Sequence, residues 1–99
     1  MLRTDAMAEL KSIEPRLRAQ GVCALYLFGS TVRNEAAQQS DVDLLFDIAP
    51  DVRFSLFDQA RITRQLSEHL HAPVDFILRR ALHPAIRAQV EAEQVRVFD

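Results

Sequence analysis

A pair of aspartates at close spacing is the first feature of this sequence with evident chemistry. Asp41 and Asp43 lie at the start of a largely apolar segment, residues 41–48. Side chains two positions apart share one face of a β-strand, so these carboxylates are presented together while Val42, Leu44 and Phe46 face the core. Two such charges repel each other unless a cation lies between them. Because Mg²⁺ is typically bound through one or two carboxylates plus phosphate oxygens, the pair predicts a divalent-metal site.

A third aspartate, Asp75, interrupts the apolar segment 74–78. An unpaired carboxylate is costly to bury, so Asp75 needs a partner. If its strand lies beside that of Asp41 and Asp43, the three acids form a two-metal site. The alternative interpretation is structural, with Asp41 and Asp43 as surface residues and Asp75 paired with Arg79 or Arg80.

A turn that could hold phosphate precedes the aspartate pair. Gly29 and Ser30 end an apolar run and open a predicted short helix over residues 31–37. Glycine lets the backbone approach a ligand closely, and helix N-terminal amides with a serine hydroxyl bind phosphate oxygens. Arg33, one helical turn further on, is within reach of the same anion. Ser30 as a simple helix cap is the alternative.

The hydrophobic periodicity gives the elements that position these residues. Residues 4–20 read as a helix in which Pro15 produces either a kink or a second short helix with Ser12 as its N-cap, and Gly21 ends it. The run 22–28 predicts a strand covered on both faces. Residues 41–48 and 74–78 are the next two strands, and residues 95–98 form either a fourth strand or a tail packed on the core.

Two further helices are predicted between and after these strands. Ser55 and Asp58 have the spacing of a capping box, which opens a helix that runs to about Leu70. Pro84 suits the first turn of the last helix. We expect these side chains to face inward: Phe57, Ile62, Leu66, Leu70, Ile86 and Val90. Phe54, Phe57 and Phe98 could instead form an exposed patch, although core packing is the favoured interpretation.

The element order, α-β-α-β-α-β-α, predicts a small α/β (α+β) domain that spans residues 1–99, with helices against one sheet. The 99 residues are 48% apolar and carry a formal net charge of −2, so no strong basic field exists for non-specific nucleic-acid binding. No apolar run is long enough for a membrane span or a signal peptide. Since Cys23 is the only cysteine and no internal disulfide can form, we expect a reducing cytoplasm.

The motifs together resemble a known signature. A Gly-Ser pair, ten intervening residues and Asp-Val-Asp resemble the signature of the polymerase-beta-like nucleotidyltransferase superfamily. The strings LFGSTVR (27–33) and SDVDLL (40–45) closely resemble its minimal nucleotidyltransferases. Val74-Asp75-Phe76 matches the strand that supplies the family's third carboxylate, and residues 86–98 match its closing helix and strand. The segment 34–37 departs from the pattern, because it lacks the glycine often seen after the arginine.

This resemblance implies a fold, a reaction and a set of roles. The fold is a small mixed sheet of three to four strands flanked by helices. The reaction is metal-dependent transfer of AMP from ATP to a hydroxyl acceptor, with two Mg²⁺ ions or Mn²⁺. Asp41 and Asp43 would bind both metals, while Asp75 would bind the one nearest the acceptor and accept its proton. Gly29 and Ser30 would hold the β- and γ-phosphates, with Arg33 in support.

The resemblance also implies a partner. Minimal nucleotidyltransferases commonly act as antitoxins that adenylylate a tyrosine of a HEPN-domain toxin, which makes a hetero-oligomer and a type VII-like toxin–antitoxin pair the expectation. The small size of the chain predicts a shallow site that a partner completes. Two alternatives stay open: a subunit that adenylylates a small molecule such as an antibiotic, and an antitoxin that acts by binding alone. A template-directed polymerase is disfavoured, since the chain is small and has no basic groove.

Overall fold

The computed structural model describes residues 3–29 and 41–99. The first part contains the helices α1 (Arg3–Ser12) and α2 (Glu14–Ala19) and the strand β1 (Val22–Phe28). The second contains β2 (Val42–Ile48), α3 (Leu56–Leu70), β3 (Val74–Leu78), a short 3₁₀ helix (Arg79–Ala81), α4 (Pro84–Glu93) and β4 (Val95–Phe98). The helix expected over residues 31–37 lies outside the described residues.

The N-terminal helix is divided near Pro15, as one of the two predicted arrangements requires. Pro15 lies in the first turn of α2, where its missing N–H breaks no helical hydrogen bond. The predicted Ser12 cap is wrong: Ile13 is the N-cap residue, and the Ser12 hydroxyl donates to the Glu9 carbonyl at 2.6 Å. A serine that bonds back to its own helix cannot cap the next one. Gly21, at φ +98°, ends α2 as predicted.

The four strands form one mixed sheet in the order β3-β2-β1-β4. β1 is antiparallel to both β2 and β4, whereas β2 and β3 are parallel. A parallel pair needs a long crossover connection, and α3 supplies it. Residues 95–98 therefore form a fourth strand rather than a tail, and the expected mixed sheet flanked by helices is confirmed.

One face of the sheet carries the core. Val42, Leu44 and Phe46 of β2 are fully buried, as predicted, and the Phe46 and Phe76 rings stack with centroids 3.8 Å apart. The helices cover this face with a shared set of buried apolar side chains: Ala6, Leu10, Leu17, Ile62, Leu66 and Leu70. Within residues 3–29 and 41–99, no helix is long and apolar enough to cross a membrane.

Two residues predicted to face inward do not. Phe57 is 86% exposed, because it lies five positions before Ile62 and is therefore rotated about 140° from the buried stripe of α3. Ile86 is 54% exposed, since α4 contains no fully buried residue and lies at the periphery. Val90 is half-buried. Phe98 is buried and Phe54 packs 5.5 Å from Phe46, so core packing is confirmed for those two phenylalanines.

Candidate functional site

The face of the sheet opposite α1, α2 and α3 carries the acidic side chains, and the strand register arranges them in rows. Phe28, Asp43 and Asp75 are in register across β1, β2 and β3. The next row along the same face is Tyr26, Leu45 and Ile77. In-register residues of neighbouring strands project to the same face about 4.8 Å apart. The sheet therefore places a row with two aspartates beside an apolar row.

Asp43 and Asp75 meet in the first of these rows. The sequence left the strand order open, and the parallel pairing of β2 with β3 now brings their backbone positions side by side. Asp75 is exposed, and no ion pair or hydrogen bond of its side chain occurs within the described residues. Asp41 lies one residue before β2 and is also exposed. The three side chains are not gathered into a three-ligand group, and no other such group occurs in residues 3–29 and 41–99.

A second charged pair, Asp47 with Arg79, lies on the same face two rows beyond Asp43 and Asp75. Arg79 donates from Nε to Asp47 Oδ1 at 3.0 Å and from Nη2 to Asp47 Oδ2 at 2.6 Å. Its Nη1 lies 3.5 Å from Glu91 Oε1, and its guanidinium carbon lies 5.2 Å from the centroid of the Tyr26 ring. The hydrogen bonds that Arg79 donates to Asp47 raise the pKa of Arg79 against the opposing effect of burial. The alternative pairing of Asp75 with Arg79 is therefore wrong.

Asp47 and the row of Asp43 and Asp75 differ in the charges that surround them. At Asp47 the protein supplies a cation in bidentate geometry, which satisfies both carboxylate oxygens. At the row of Asp43 and Asp75 it places two carboxylates side by side, and such like charges repel each other, a repulsion that positive charge relieves. Asp75 takes no such charge from the described residues. Carboxylate oxygens are the hard donors that Mg²⁺ prefers, so the donor chemistry fits a divalent ion.

Gly29 leaves room for the Asp43 carboxylate in this row. The residue follows β1 at φ +76°, a backbone conformation that favours glycine. A Cβ built at this position would lie 3.1 Å from Cγ of Asp43 and closer still to its Oδ2. Only glycine both makes this turn and leaves room for the Asp43 carboxylate. Ser30 and Arg33, the other two residues of the predicted phosphate cradle, lie outside the described residues, so their roles stay predictions.

Sequence reasoning missed the Asp47–Arg79 pair, although a signal existed. Asp47 follows Asp43 by four residues, and Arg79 follows Asp75 by four. In parallel strands, equal spacing along both chains means that if one pair is in register the other is as well. Tyr26 is half-buried on the acidic face beneath Arg79.

Comparisons with known proteins show which family and which folds the chain matches. The model of the nucleotidyltransferase domain family matches residues 9–97 of the chain. A curated protein of Methanocaldococcus jannaschii, provisionally named a protein adenylyltransferase, is 33% identical over 88 residues, which are 89% of this chain and 92% of that protein. A solved structure provisionally described as a minimal nucleotidyltransferase is 30% identical with a TM-score of 0.82, over 96% of this chain and 95% of that one.

A further solved structure shares the fold at lower identity. It is a tri-AMPylated Shewanella oneidensis HEPN toxin in complex with an MNT antitoxin, and the matched chain is 19% identical with a TM-score of 0.70. The match covers 94% of this chain and 71% of that one. At this identity the likeness establishes the architecture alone.

Proposed function

Because this chain belongs to the nucleotidyltransferase domain family, we propose that it transfers AMP from ATP to a tyrosine hydroxyl of a HEPN-family toxin. In this proposal the chain is the antitoxin of a type VII-like pair, and it acts in the cytoplasm as part of a hetero-oligomer. The observation that carries the proposal is the row in which Asp43 and Asp75 lie side by side, next to the turn at Gly29.

Each site residue has a role in this reaction. Asp41, Asp43 and Asp75 would hold two divalent ions, Mg²⁺ or Mn²⁺. When bound, such ions neutralise charge on the attacking and leaving oxygens of an in-line displacement. Gly29 and Ser30 hold the β- and γ-phosphates, with Arg33 as a supporting cation. This arrangement fixes the α-phosphorus against the acidic row.

The transfer itself exchanges one bond for another. The acceptor oxygen bonds to the α-phosphorus of ATP, and the bond from that phosphorus to the bridging α–β oxygen breaks, so that pyrophosphate leaves. The hydroxyl proton goes to Asp75, which lies exposed near the start of the edge strand β3, where an acceptor can approach. A positioned carboxylate of this kind acts as a general base.

Two of the matched proteins support the choice of acceptor. The Methanocaldococcus jannaschii relative bears the provisional name of a protein adenylyltransferase and is similar over nearly its whole length. The HEPN toxin in the Shewanella oneidensis complex carries three AMP groups and is bound to an antitoxin that has this fold. A toxin tyrosine is therefore the acceptor that we propose for this chain.

The proposal is tested by replacing the aspartate pair. We expect the Asp41→Asn and Asp43→Asn double variant to lose at least about 10²–10³-fold in transfer rate, because it removes groups directed at charge in the transition state. The assay follows label from α-³²P-ATP with Mg²⁺ onto the purified HEPN protein. Asp51→Asn is the matched control, since Asp51 is an exposed loop carboxylate away from the acidic row. Circular dichroism verifies that both proteins fold.

Three outcomes would contradict the proposal. Wild-type labelling by the double variant would remove Asp41 and Asp43 from the mechanism. Label in a small molecule rather than in protein would indicate the alternative, small-molecule reaction. Full neutralisation of the toxin by the double variant would indicate an antitoxin that acts by binding alone.

A further inference from the structure

A groove of about 640 Å³ runs between the outer surface of α3 and the start of β3, on the side of the strand away from β2. We call it the α3–β3 groove and define it by six of its lining residues: Leu56, Ala60, Thr63, Arg64, Pro73 and Val74. Most of this lining is apolar or small. None of these residues takes part in the nucleotide or metal site proposed above.

One exposed apolar side chain lines this groove, and a second one follows it in the sequence. Leu56 is 82% exposed, and Phe57, the next residue of α3, is 86% exposed. Adjacent apolar side chains of this size beside a concave surface are typical of a protein interaction site. Both residues occupy the first turn of α3 and neither contributes to the core. Their exposure therefore has no folding role in the described structure.

The edge of the sheet limits how a partner can enter. Val74, Phe76 and Leu78 alternate with the positions of β3 that bond to β2, so their backbone groups point outward. The Phe76 carbonyl already accepts a hydrogen bond from Gln59 Nε2 at 2.8 Å. An added strand would have to displace this bond, so side-chain docking is favoured over β-augmentation.

The charge on the groove indicates the chemistry of its occupant. Among the described lining residues, Arg64 is the one with a formal charge. Its side chain is 76% exposed, and its Nε lies 4.0 Å from Glu68 Oε1, at the limit of an ion pair, with Glu68 73% exposed. Such a pair contributes little, so the guanidinium can bond to another carboxylate. The groove therefore suits apolar side chains with an acidic residue beside them.

The position of the groove connects it to the acidic row. Pro73 and Val74 form one of its walls, and Asp75 is the next residue of the same strand. The Asp75 side chain points to the opposite face of this edge strand, so a protein held against the wall would reach the carboxylate around the edge of β3. A groove this close to the reacting position can orient an acceptor for in-line attack.

We propose that the α3–β3 groove is the docking site of the acceptor protein, and that it takes an amphipathic helix with apolar side chains against Leu56 and an acidic side chain on Arg64. This inference rests on the proposed function, because it places the acceptor of that reaction. Helix-in-groove recognition uses such a pattern of apolar anchors with charge at the rim.

The test uses the full chain and the purified HEPN-family protein of the same organism. The groove variants are Leu56→Ala with Phe57→Ala, and Arg64→Glu. Arg16→Glu is the matched control, because Arg16 is an exposed arginine on α2 outside the groove. Biolayer interferometry gives the Kd for the HEPN protein, calorimetry gives the Kd for Mg²⁺·ATP, and labelling at varied HEPN concentration gives KM and kcat.

We expect each groove variant to weaken HEPN binding by roughly tenfold or more, since anchors of this kind dominate interfaces. The KM for the HEPN protein should rise by a similar factor, while kcat and the affinity for Mg²⁺·ATP stay unchanged. Arg16→Glu should match the wild type in all four values. Thermal melts establish that the variants fold, as expected for exposed positions.

The results separate this inference from the proposed function. Wild-type HEPN affinity in both groove variants, an equal loss in Arg16→Glu, or no complex with the wild-type chain would each overturn the docking site. Unchanged labelling by the groove variants would overturn docking and leave the adenylyltransferase proposal standing. Groove-dependent binding without any AMP transfer by the wild type would support docking and refute the proposed reaction.

Discussion

Asp47 and Asp75 show how the surroundings of a carboxylate decide what it can do. Both lie on the same face of the sheet, in neighbouring parallel strands. Asp47 has both oxygens bonded to the Arg79 guanidinium, so its charge stabilises the fold and is not available to a ligand. Asp75 is exposed beside Asp43 and draws no cation from the described residues. Asp47 therefore stabilises the fold, whereas Asp75 is available to bind a ligand.

This difference predicts opposite effects on stability. Asp47→Asn should lower the free energy of unfolding by about 1 kcal/mol, because it weakens a charge-assisted pair that is only partly exposed. Asp75→Asn should leave the stability unchanged or raise it by up to about 0.5 kcal/mol, because it removes like-charge repulsion. Urea titrations in EDTA measure both values. If Asp75→Asn were as destabilising as Asp47→Asn, Asp75 would have a structural partner.

At the scale of the element, the helix α3 has two roles: its inner side packs in the core and its outer side lines the α3–β3 groove. Its start is fixed by a capping box in which Ser55 Oγ accepts from the Asp58 N–H at 3.2 Å and Asp58 Oδ2 accepts from the Ser55 N–H at 2.8 Å. The backbone N–H of Ser55, then its hydroxyl and Arg61, lower the pKa of Asp58.

The capping box makes part of the stability pH-dependent. Because the pKa of Asp58 is lower in the folded chain than in the unfolded chain, its contribution is present above the ordinary carboxyl pKa of about 4. It is lost as the pH falls through the lower, folded value. Asp58→Asn should therefore reduce the Tm at pH 7 and have a smaller effect near pH 3.

Calorimetric melts of the wild type and of Asp58→Asn across this range measure the effect. Asp51→Asn is the control for a loop carboxylate outside the helix, and it should show no comparable difference. A Tm difference for Asp58→Asn that stayed constant from pH 7 to pH 3 would show that the Asp58 charge does not stabilise α3.

At the scale of the whole molecule, the sheet separates folding from chemistry by face. One face is covered by α1, α2 and α3 and holds the apolar core. The opposite face carries the acidic row, the apolar row of Leu45 and Ile77, and the Asp47–Arg79 pair. Because the core does not depend on the acidic row, the row can hold two like charges side by side.

Divalent metal should therefore stabilise the folded chain as a whole. A ligand at tenfold its Kd contributes about 1.4 kcal/mol if it binds only the native state. We expect Mg²⁺ to raise the Tm of the wild type by several degrees, and EDTA to reverse the shift. The Asp43→Asn and Asp75→Asn double variant should show no such shift. NaCl at matched ionic strength controls for screening, and an equal shift in NaCl would contradict a metal site.

Much of the local structure follows from the sequence alone. The strands over residues 22–28 and 74–78, the capping box at Ser55 and the stop at Gly21 depend on neighbours a few positions away, and they are confirmed. The family is confirmed as well, because the spacing of its motif is itself a local property. The roles of Ser30 and Arg33 stay predictions, since both lie outside the described residues.

Only the tertiary structure decided which of these residues meet. The parallel register places Asp43 beside Asp75. Arg79 pairs with Asp47, although the sequence also allowed it to pair with Asp75. Packing left Ile86 in solvent, although the sequence analysis predicted that it faces inward. The physical reason is the same in each case: register and burial depend on contacts between residues far apart in the chain, and no local pattern records them.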